Sequence, residues 1–156
     1  MIFPSLERCT VAVIGLGYVG LPLALELGKN KIHKKSGKLL ERNIIGFDIK
    51  KERIESIIKG IDITKETSID EINEVKNIKY TSDPNWLTEA DIFIISVPTP
   101  ITEDKKPDLN PLINASQTVG KALSSRKKES LPIIIYESTV YPGTTEEICV
   151  PILEKE

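Results

Sequence analysis

The segment VAVIGLGYVG, residues 11–20, restricts the possible folds of this chain more than any other part of the sequence. Gly15, Gly17 and Gly20 form the pattern G-x-G-x-x-G directly after a short β-branched run. The apolar residues 16–27 that follow predict a helix. A strand, a tight glycine turn and a helix in this order are typical of the first unit of a parallel sheet.

Apolar runs of strand length alternate with helical periodicity along the rest of the chain. Further strands are predicted at residues 43–49, 78–80, 91–97 and 132–136, and helices at residues 50–60, 68–76, 83–89 and 112–123. Short strands that are apolar throughout are expected where helices cover both faces of a sheet. Right-handed crossovers then give a doubly wound, three-layer α/β sheet of the Rossmann type.

Capping signals mark three helix starts. They are Ser68 with Glu71, Asp83 before Pro84, and Thr144 with Glu147. Pro151 is expected to kink or restart the last helix. Five strands are visible where the full Rossmann pattern has six, so residues 1–156 are expected to form one domain that stops before its last strand.

The overall charge and composition exclude several classes of protein. With 21 basic and 23 acidic residues, the net charge of −2 predicts no attraction to nucleic acid or to an anionic membrane. No apolar run reaches the ~18 residues of a transmembrane helix, and the N-terminus lacks the pattern of a signal peptide. Cys9 and Cys149 make no disulfide framework, so a reduced, cytoplasmic protein is expected. Residues 29–42 include six lysines or arginines; they predict a solvated surface insertion or, alternatively, a phosphate or polyanion contact.

The glycine pattern also predicts a ligand, the pyrophosphate of a dinucleotide. The first glycine permits the tight turn, the second admits the pyrophosphate close to the backbone, and the third allows the helix to pack against the strand. The helix N-terminus presents unpaired N–H groups and a positive dipole end. The intervening Leu16, Tyr18 and Val19 are therefore expected at the cofactor together with Gly15, Gly17 and Gly20.

Asp48 ends the second predicted strand, in IGFDIK. A carboxylate there accepts hydrogen bonds from an adenosine ribose and repels a 2′-phosphate, which favours NAD over NADP. Its spacing from Gly20 exceeds the usual ~20 residues because of the 29–42 insertion. A helix N-cap is the alternative role for Asp48. Arg53, one turn further, is predicted to flank the adenine or a phosphate, with a solvent-exposed helix arginine as the alternative.

Two more strands end in polar or stiff segments that should meet the glycine turn at the carboxyl edge of the sheet. Val97, Pro98 and Thr99 follow the fourth strand, and two prolines stiffen that loop. Ser138 and Thr139 follow the fifth strand. Their hydroxyls are predicted to face a cofactor or a substrate oxygen, and local turn capping is the alternative.

Together the motifs VAVIGLGYVGLPLA, GFDI, SVPTPI…PDL and IYESTVYPGTTEE make the chain similar to one family from about Thr10 onwards. It resembles the N-terminal domain of the UDP-glucose/GDP-mannose dehydrogenases, and most of all the branch that oxidises UDP-N-acetylhexosamines. The resemblance implies that a C6 alcohol becomes a carboxylate in two hydride transfers to two NAD molecules, for polysaccharide biosynthesis. It implies a catalytic role for Thr139, which would help position a water or the C6 oxygen. It also implies NAD contacts for residues 15–20, Asp48, Arg53, Val97, Pro98, Thr99, Ser138 and Thr139.

The resemblance also implies parts that this chain lacks. The cysteine nucleophile of the family, a lysine, an asparagine and an aspartate belong to a central helix and a UDP-sugar-binding domain beyond the matched segment. Cys9 and Cys149 are interpreted as inert packing residues, and no Cys/His/Asp cluster has metal-ligand spacing. The full-length enzyme is expected to be a homo-oligomer, and this domain to bind NAD without catalysis. The alternatives are a stand-alone NAD-binding sensor or subunit, and a different Rossmann enzyme such as a β-hydroxyacid dehydrogenase.

Overall fold

The computed structural model describes residues 2–5 and 7–156. Its centre is a five-stranded sheet in which every neighbouring pair of strands is parallel, in the order β3-β2-β1-β4-β5. The strands are β1 (Thr10–Ile14), β2 (Asn43–Phe47), β3 (Ile78–Thr81), β4 (Ile92–Ile95) and β5 (Ile133–Tyr136). This is the strand order of a Rossmann sheet up to its fifth strand, which confirms the predicted fold class.

Helices occupy the connections between the strands, and two further helical segments follow β5. They are α1 (Gly20–Gly28), α2 (Lys51–Ile58), α3 (Ile69–Glu74), a 3₁₀ helix (Pro84–Glu89), α4 (Asn110–Ser124), a π-helical turn (Thr145–Cys149) and α5 (Val150–Lys155). The last helical segment restarts at Val150, directly before Pro151, in line with the predicted kink or restart there. The first helix begins at Gly20 rather than at residue 16, because the glycine turn itself occupies residues 15–19.

Two hydrophobic cores lie on opposite faces of the sheet. On one face, Val11 and Val13 of β1 pack with Leu21 of α1 and Ile57 of α2. On the other, Ala12 and Ile14 pack with side chains of α4 and the 3₁₀ helix. Alternate residues of a strand point to opposite faces, so a strand that is apolar throughout supplies both cores.

Two of the three predicted helix caps are present. Ser68 Oγ accepts from the Glu71 backbone N–H at 3.3 Å while Glu71 accepts from the Ser68 N–H at 2.8 Å, and Asp83 accepts from the Asn85 N–H at 3.0 Å. The capping box predicted at Thr144 is wrong. Thr144 is fully buried with helical backbone angles, and its hydroxyl donates to the Tyr141 carbonyl at 2.8 Å. A hydroxyl turned back into the preceding turn cannot cap the helix that follows.

Because the strands are parallel, all their carboxyl ends lie along one edge of the sheet. The glycine turn, Asp48, the loop after β4 and the segment after β5 therefore share that edge. The 29–42 insertion connects α1 to the start of β2 and lies at the opposite, amino edge. No helix among the described residues is long and apolar enough to cross a membrane.

Candidate cofactor site

The glycines of the turn are required for three different steric reasons. Gly15 has φ +91°, a conformation that favours glycine, and packs against Ser96 and Val97 at the end of β4. A Cβ on Gly20 would lie 1.8 Å from the Gly15 carbonyl oxygen, which leaves no room for any side chain. A Cβ on Gly17 would have no atom of residues 2–5 or 7–156 within 4 Å. The space beside Gly17 is therefore open, as the close approach of a ligand requires.

The backbone around Gly17 offers hydrogen-bond donors to that space. Among the described residues, the N–H groups of Gly17, Tyr18 and Val19 have no hydrogen-bond partner, and they directly precede the nine-residue helix α1. Tyr18 and Val19 are exposed. Unpaired N–H groups at a helix N-terminus bind phosphate oxygens, so the turn fits the pyrophosphate of a dinucleotide.

The side chain and both backbone polar groups of Leu16 are held by contacts within the protein. Its side chain is fully buried, its N–H donates to Asp48 Oδ2 at 2.9 Å, and its carbonyl accepts from Arg53 Nε at 2.7 Å. Both of its backbone polar groups are thus already used within the protein. Leu16 contributes to the predicted site by holding the turn in shape.

Asp48 connects the turn to the start of α2. Besides Leu16, its carboxylate accepts from the Lys50 N–H at 2.9 Å, while the N-cap position itself belongs to Lys50. The side chain remains half-buried at the edge, and an ionised carboxylate has about four acceptor sites, of which these two bonds use two. The predicted ribose contact therefore remains available alongside the structural one.

The structure places Arg53 beneath the turn. The residue is 5% exposed, so the alternative of a solvent-exposed helix arginine is wrong. Its Nε donates to the Leu16 carbonyl and its Nη2 donates to Asp62 Oδ1 at 2.7 Å, while Nη1 is enclosed without a hydrogen-bond partner among the described residues. Contact between this guanidinium and a cofactor requires a shift of the turn that covers it, so the predicted contact with adenine or phosphate remains a prediction.

Asp62 is a component of the site that the sequence interpretation missed. Its buried carboxylate accepts from the N–H and hydroxyl of Thr64 and of Thr67, and from the Glu66 N–H, in addition to Arg53. Burial by itself raises the pKa of Asp62, but the bonds from Thr64 and Arg53 outweigh it and hold that pKa well below its ordinary value. The spacing in DITKET, an aspartate followed by threonines two and five residues later, is the signal that indicates such a loop.

Two hydroxyl bonds join the ends of β4 and β5. Thr99 Oγ1 donates to the Thr139 carbonyl at 2.8 Å, and Ser138 Oγ donates to the Val97 carbonyl at 2.7 Å. The alternative that Ser138 caps a local turn is therefore wrong. Pro98 is exposed beside these bonds. The Thr139 side chain is exposed, and its hydroxyl has no hydrogen-bond partner in residues 2–5 and 7–156.

Ser96 is a second contributor that the sequence interpretation did not assign. Its hydroxyl is a donor to two carbonyls of the neighbouring strand end, that of Gly15 at 2.9 Å and that of Ile14 at 3.2 Å. It joins the end of β4 to the glycine turn. Together with the β4–β5 bonds, it makes the carboxyl edge a connected surface from the turn to Thr139.

Other candidate chemistry is absent from the part of the chain that the structure describes. No group of three His, Cys, Asp or Glu side chains is placed to hold a metal ion within residues 2–5 and 7–156. Cys9 and Cys149 are buried, and burial raises the pKa of each thiol, so neither is an activated nucleophile.

Comparison with known proteins agrees with this geometry. Residues 9–156 match the sequence model of the UDP-glucose/GDP-mannose dehydrogenase family, NAD binding domain. The chain is 46% identical to UDP-N-acetyl-D-glucosamine 6-dehydrogenase of Salmonella typhi and 50% identical to that of Pseudomonas aeruginosa. These matches cover 97% and 93% of this chain, but 32% and 31% of those proteins. The chain thus spans about a third of the length of these relatives.

A solved structure shows the same arrangement. NDP-N-acetyl-D-galactosaminuronic acid dehydrogenase from Methanosarcina mazei superposes with a TM-score of 0.78 at 28% identity, over 95% of this chain and 31% of that one. The family model describes an NAD-binding domain, so NAD is the cofactor for which this carboxyl edge is built. The match over nearly the whole chain, on a Rossmann sheet with an open glycine turn and an acidic end to β2, shows that the chain belongs to the UDP-glucose/GDP-mannose dehydrogenase family as an NAD-binding domain.

Proposed function

We propose that this chain is the NAD-binding domain of a nucleotide-sugar 6-dehydrogenase that oxidises the C6 alcohol of a UDP-N-acetylhexosamine to a uronate, for polysaccharide biosynthesis. The names of the Salmonella typhi and Pseudomonas aeruginosa relatives support this substrate class. The remaining substrate contacts and the nucleophile are assigned to a central helix and a UDP-sugar domain outside residues 1–156. A homo-oligomeric enzyme of the cytoplasm is part of the same proposal.

The observation that carries the proposal is the exposed, unpaired hydroxyl of Thr139 in the described part of the chain. Its carbonyl is fixed by Thr99 across the β4–β5 boundary, while its exposed hydroxyl has no partner in the described part of the chain. A hydroxyl held on a rigid edge and left free is suited to bind a ligand oxygen. In this role Thr139 positions a water or the C6 oxygen at the nicotinamide end.

The other residues bind and orient the cofactor. The free N–H groups of Gly17 and Tyr18 would hold the pyrophosphate, and Asp48 the adenosine ribose. Val97, Pro98, Thr99 and Ser138 would line the nicotinamide half. When bound, NAD supplies the hydride acceptor. The alternative of a stand-alone sensor or subunit without dehydrogenase activity is not favoured, because the named relatives are dehydrogenases.

Isothermal titration of the chain with NAD, NADP and UDP-N-acetylglucosamine tests the cofactor assignment. We expect NAD to bind more tightly than NADP, and the UDP-sugar not to bind. A chain that shows a cooperative melting transition yet binds no NAD would contradict the proposal.

A chimeric enzyme tests the reaction itself. In it, this chain replaces the matching segment of the Salmonella typhi relative, and NADH formation is followed with UDP-N-acetylglucosamine and other UDP-N-acetylhexosamines. Turnover with at least one of these sugars is expected. A folded chimera that binds NAD but reduces none of it would refute the substrate class while leaving the cofactor assignment intact.

A further inference from the structure

The insertion at the amino edge forms a hairpin that the cofactor site does not use. Residues 31–40, termed here the basic hairpin, are joined by an antiparallel bridge between Ile32 and Leu39. Hydrogen bonds of 2.8 Å from His33 N–H to the Lys38 carbonyl, and from Leu40 N–H to the Lys31 carbonyl, flank that bridge. The hairpin follows α1 and precedes β2, so it lies at the edge opposite the glycine turn.

One face of the basic hairpin is tied to the body of the protein by charge. Lys31 pairs with Glu26, and Lys38 lies 3.3 Å from Glu7. His33 Nδ1 lies 3.8 Å from Glu7. The two lysines of this inner face, Lys31 and Lys38, are therefore paired with carboxylates of the domain, which hold the hairpin in place.

The opposite face is apolar at its base and cationic at its tip. Directly opposed residues of an antiparallel pair point to the same face, so Ile32 and Leu39 lie side by side. They are 67% and 49% exposed. Lys34 and Lys35 are exposed at the tip, and within the described ranges no carboxylate lies at ion-pair distance from either.

The charge of the whole chain conceals a strong asymmetry. Residues 29–42 carry six of the 21 basic residues and one of the 23 acidic ones, a net charge of +5. The remainder carries 15 basic and 22 acidic residues, a net charge of −7. Glu7 and Glu26 offset part of this positive charge, so the attraction of an anionic surface acts mainly on Lys34 and Lys35 at the tip, while the body is repelled. This difference sets the orientation of approach.

We propose that the basic hairpin is a reversible docking element for an anionic lipid bilayer. Ile32 and Leu39 would enter the interface between headgroups and acyl chains, and Lys34 and Lys35 would contact lipid phosphates. The cofactor edge would then face away from the lipid. The net charge of −2 does not reveal this attraction, because it is the sum of a positive region, residues 29–42, and a negative remainder.

A bilayer fits this surface better than a protein partner does. The cores of protein interfaces are enriched in aromatic residues and arginine and depleted of lysine. The outer face and tip of the basic hairpin present two aliphatic side chains and two lysines, without an aromatic residue or an arginine. An exposed face of this composition needs no shape-complementary groove, and a bilayer offers none.

Cosedimentation with vesicles tests the proposal. The 156-residue chain is mixed with vesicles of phosphatidylcholine alone or with about a third phosphatidylglycerol. We expect binding only to the anionic vesicles, with a loss of at least tenfold as the ionic strength rises toward about 1 M, where screening is nearly complete. Lys34→Glu/Lys35→Glu should lower the partition coefficient at least tenfold, and Ile32→Ser/Leu39→Ser about fivefold or more.

Lys105→Glu/Lys106→Glu is the matched control, because it makes the same change in net charge at an exposed lysine pair on the opposite edge. It should leave vesicle binding within about twofold, and all hairpin variants should bind NAD like the unaltered chain. Equal binding to neutral and anionic vesicles, or no binding at low salt, would overturn the proposal. Self-association in solution that Lys34→Glu/Lys35→Glu abolishes would also overturn it, in favour of a second copy of the chain as the occupant.

Discussion

The backbone N–H of Leu16 donates to Asp48 Oδ2 at 2.9 Å, so the residue between the first two glycines is fastened to the end of β2. Leu16 and Asp48 are 32 positions apart, and the basic insertion lies between them. One carboxylate therefore supports the predicted pyrophosphate turn and is also the predicted ribose acceptor. Changes at Asp48 should affect both halves of the cofactor site.

Replacement of Asp48 separates these two roles. We expect Asp48→Asn to keep an acceptor for Leu16 but to lose the charge, and so to narrow the preference for NAD over NADP. Asp48→Ala removes both the acceptor and the charge, and NAD affinity should fall tenfold to a hundredfold. This loss corresponds to one hydrogen bond to a charged group, which contributes about 1.5–3 kcal/mol. Titration calorimetry with both cofactors measures this. Equal affinities for NAD and NADP in the unaltered chain would remove the basis of the cofactor preference.

Gly17 and Gly20 provide a matched pair that distinguishes binding from folding. A Cβ on Gly20 meets the Gly15 carbonyl at 1.8 Å, so Gly20→Ala should destabilise the fold by about 1–3 kcal/mol or more. A Cβ on Gly17 has no atom within 4 Å in the described part of the chain, so Gly17→Ala should leave the melting temperature nearly unchanged while NAD affinity falls at least tenfold. Thermal melting and titration of both variants give the comparison. Normal NAD binding by Gly17→Ala would show that no pyrophosphate approaches there.

Arg53 and Asp62 should behave as a buried ion pair in stability measurements. Breaking such a pair costs about 3–5 kcal/mol, because it leaves an uncompensated buried charge. Arg53→Met and Asp62→Asn should each lower the free energy of unfolding in urea by an amount of this order, and the double variant by less than the sum. Additive effects would mean that the two residues act independently.

The same carboxylate should make stability depend on pH in the acid range. Hydrogen bonds hold the pKa of Asp62 below its value in the unfolded chain, which is about 4. The resulting stabilisation is fully present above that value and is lost as the pH falls toward the folded pKa. The difference in stability between the unaltered chain and Asp62→Asn should therefore shrink below about pH 4. Because Asp91, whose pKa is also lowered, is present in both proteins, its effect cancels. A constant difference down to pH 3 would contradict this interpretation.

The sequence predicts the sheet well for a physical reason. Strands buried on both faces are apolar throughout, and glycine at positions 15, 17 and 20 leaves few alternatives to a tight βα turn. Contacts made by side chains distant in sequence are harder to predict. Arg53 lies on a short amphipathic helix, and nothing local shows that its guanidinium turns inward to Leu16 and Asp62. Thr144 has the local pattern of an N-cap, but its hydroxyl binds Tyr141 instead.

Thr139 provides the last prediction, and it concerns catalysis rather than folding. In the chimera with the Salmonella typhi relative, Thr139→Ala should leave the melting temperature unchanged, because its hydroxyl supports no contact within the described part of the fold. The affinity for NAD should stay within about twofold, because the proposed role of this hydroxyl is toward a water or the C6 oxygen and the other predicted NAD contacts are kept. The turnover number should fall about tenfold to a hundredfold, since one hydrogen bond to a ligand oxygen is lost. Thr139→Ser keeps the hydroxyl and should retain most of the turnover. Thr99→Val removes the hydrogen bond to the Thr139 carbonyl, and its turnover number should lie between those of the unaltered chimera and Thr139→Ala. Turnover unaffected in Thr139→Ala would remove Thr139 from the reaction and leave it as a residue of the β5 end alone.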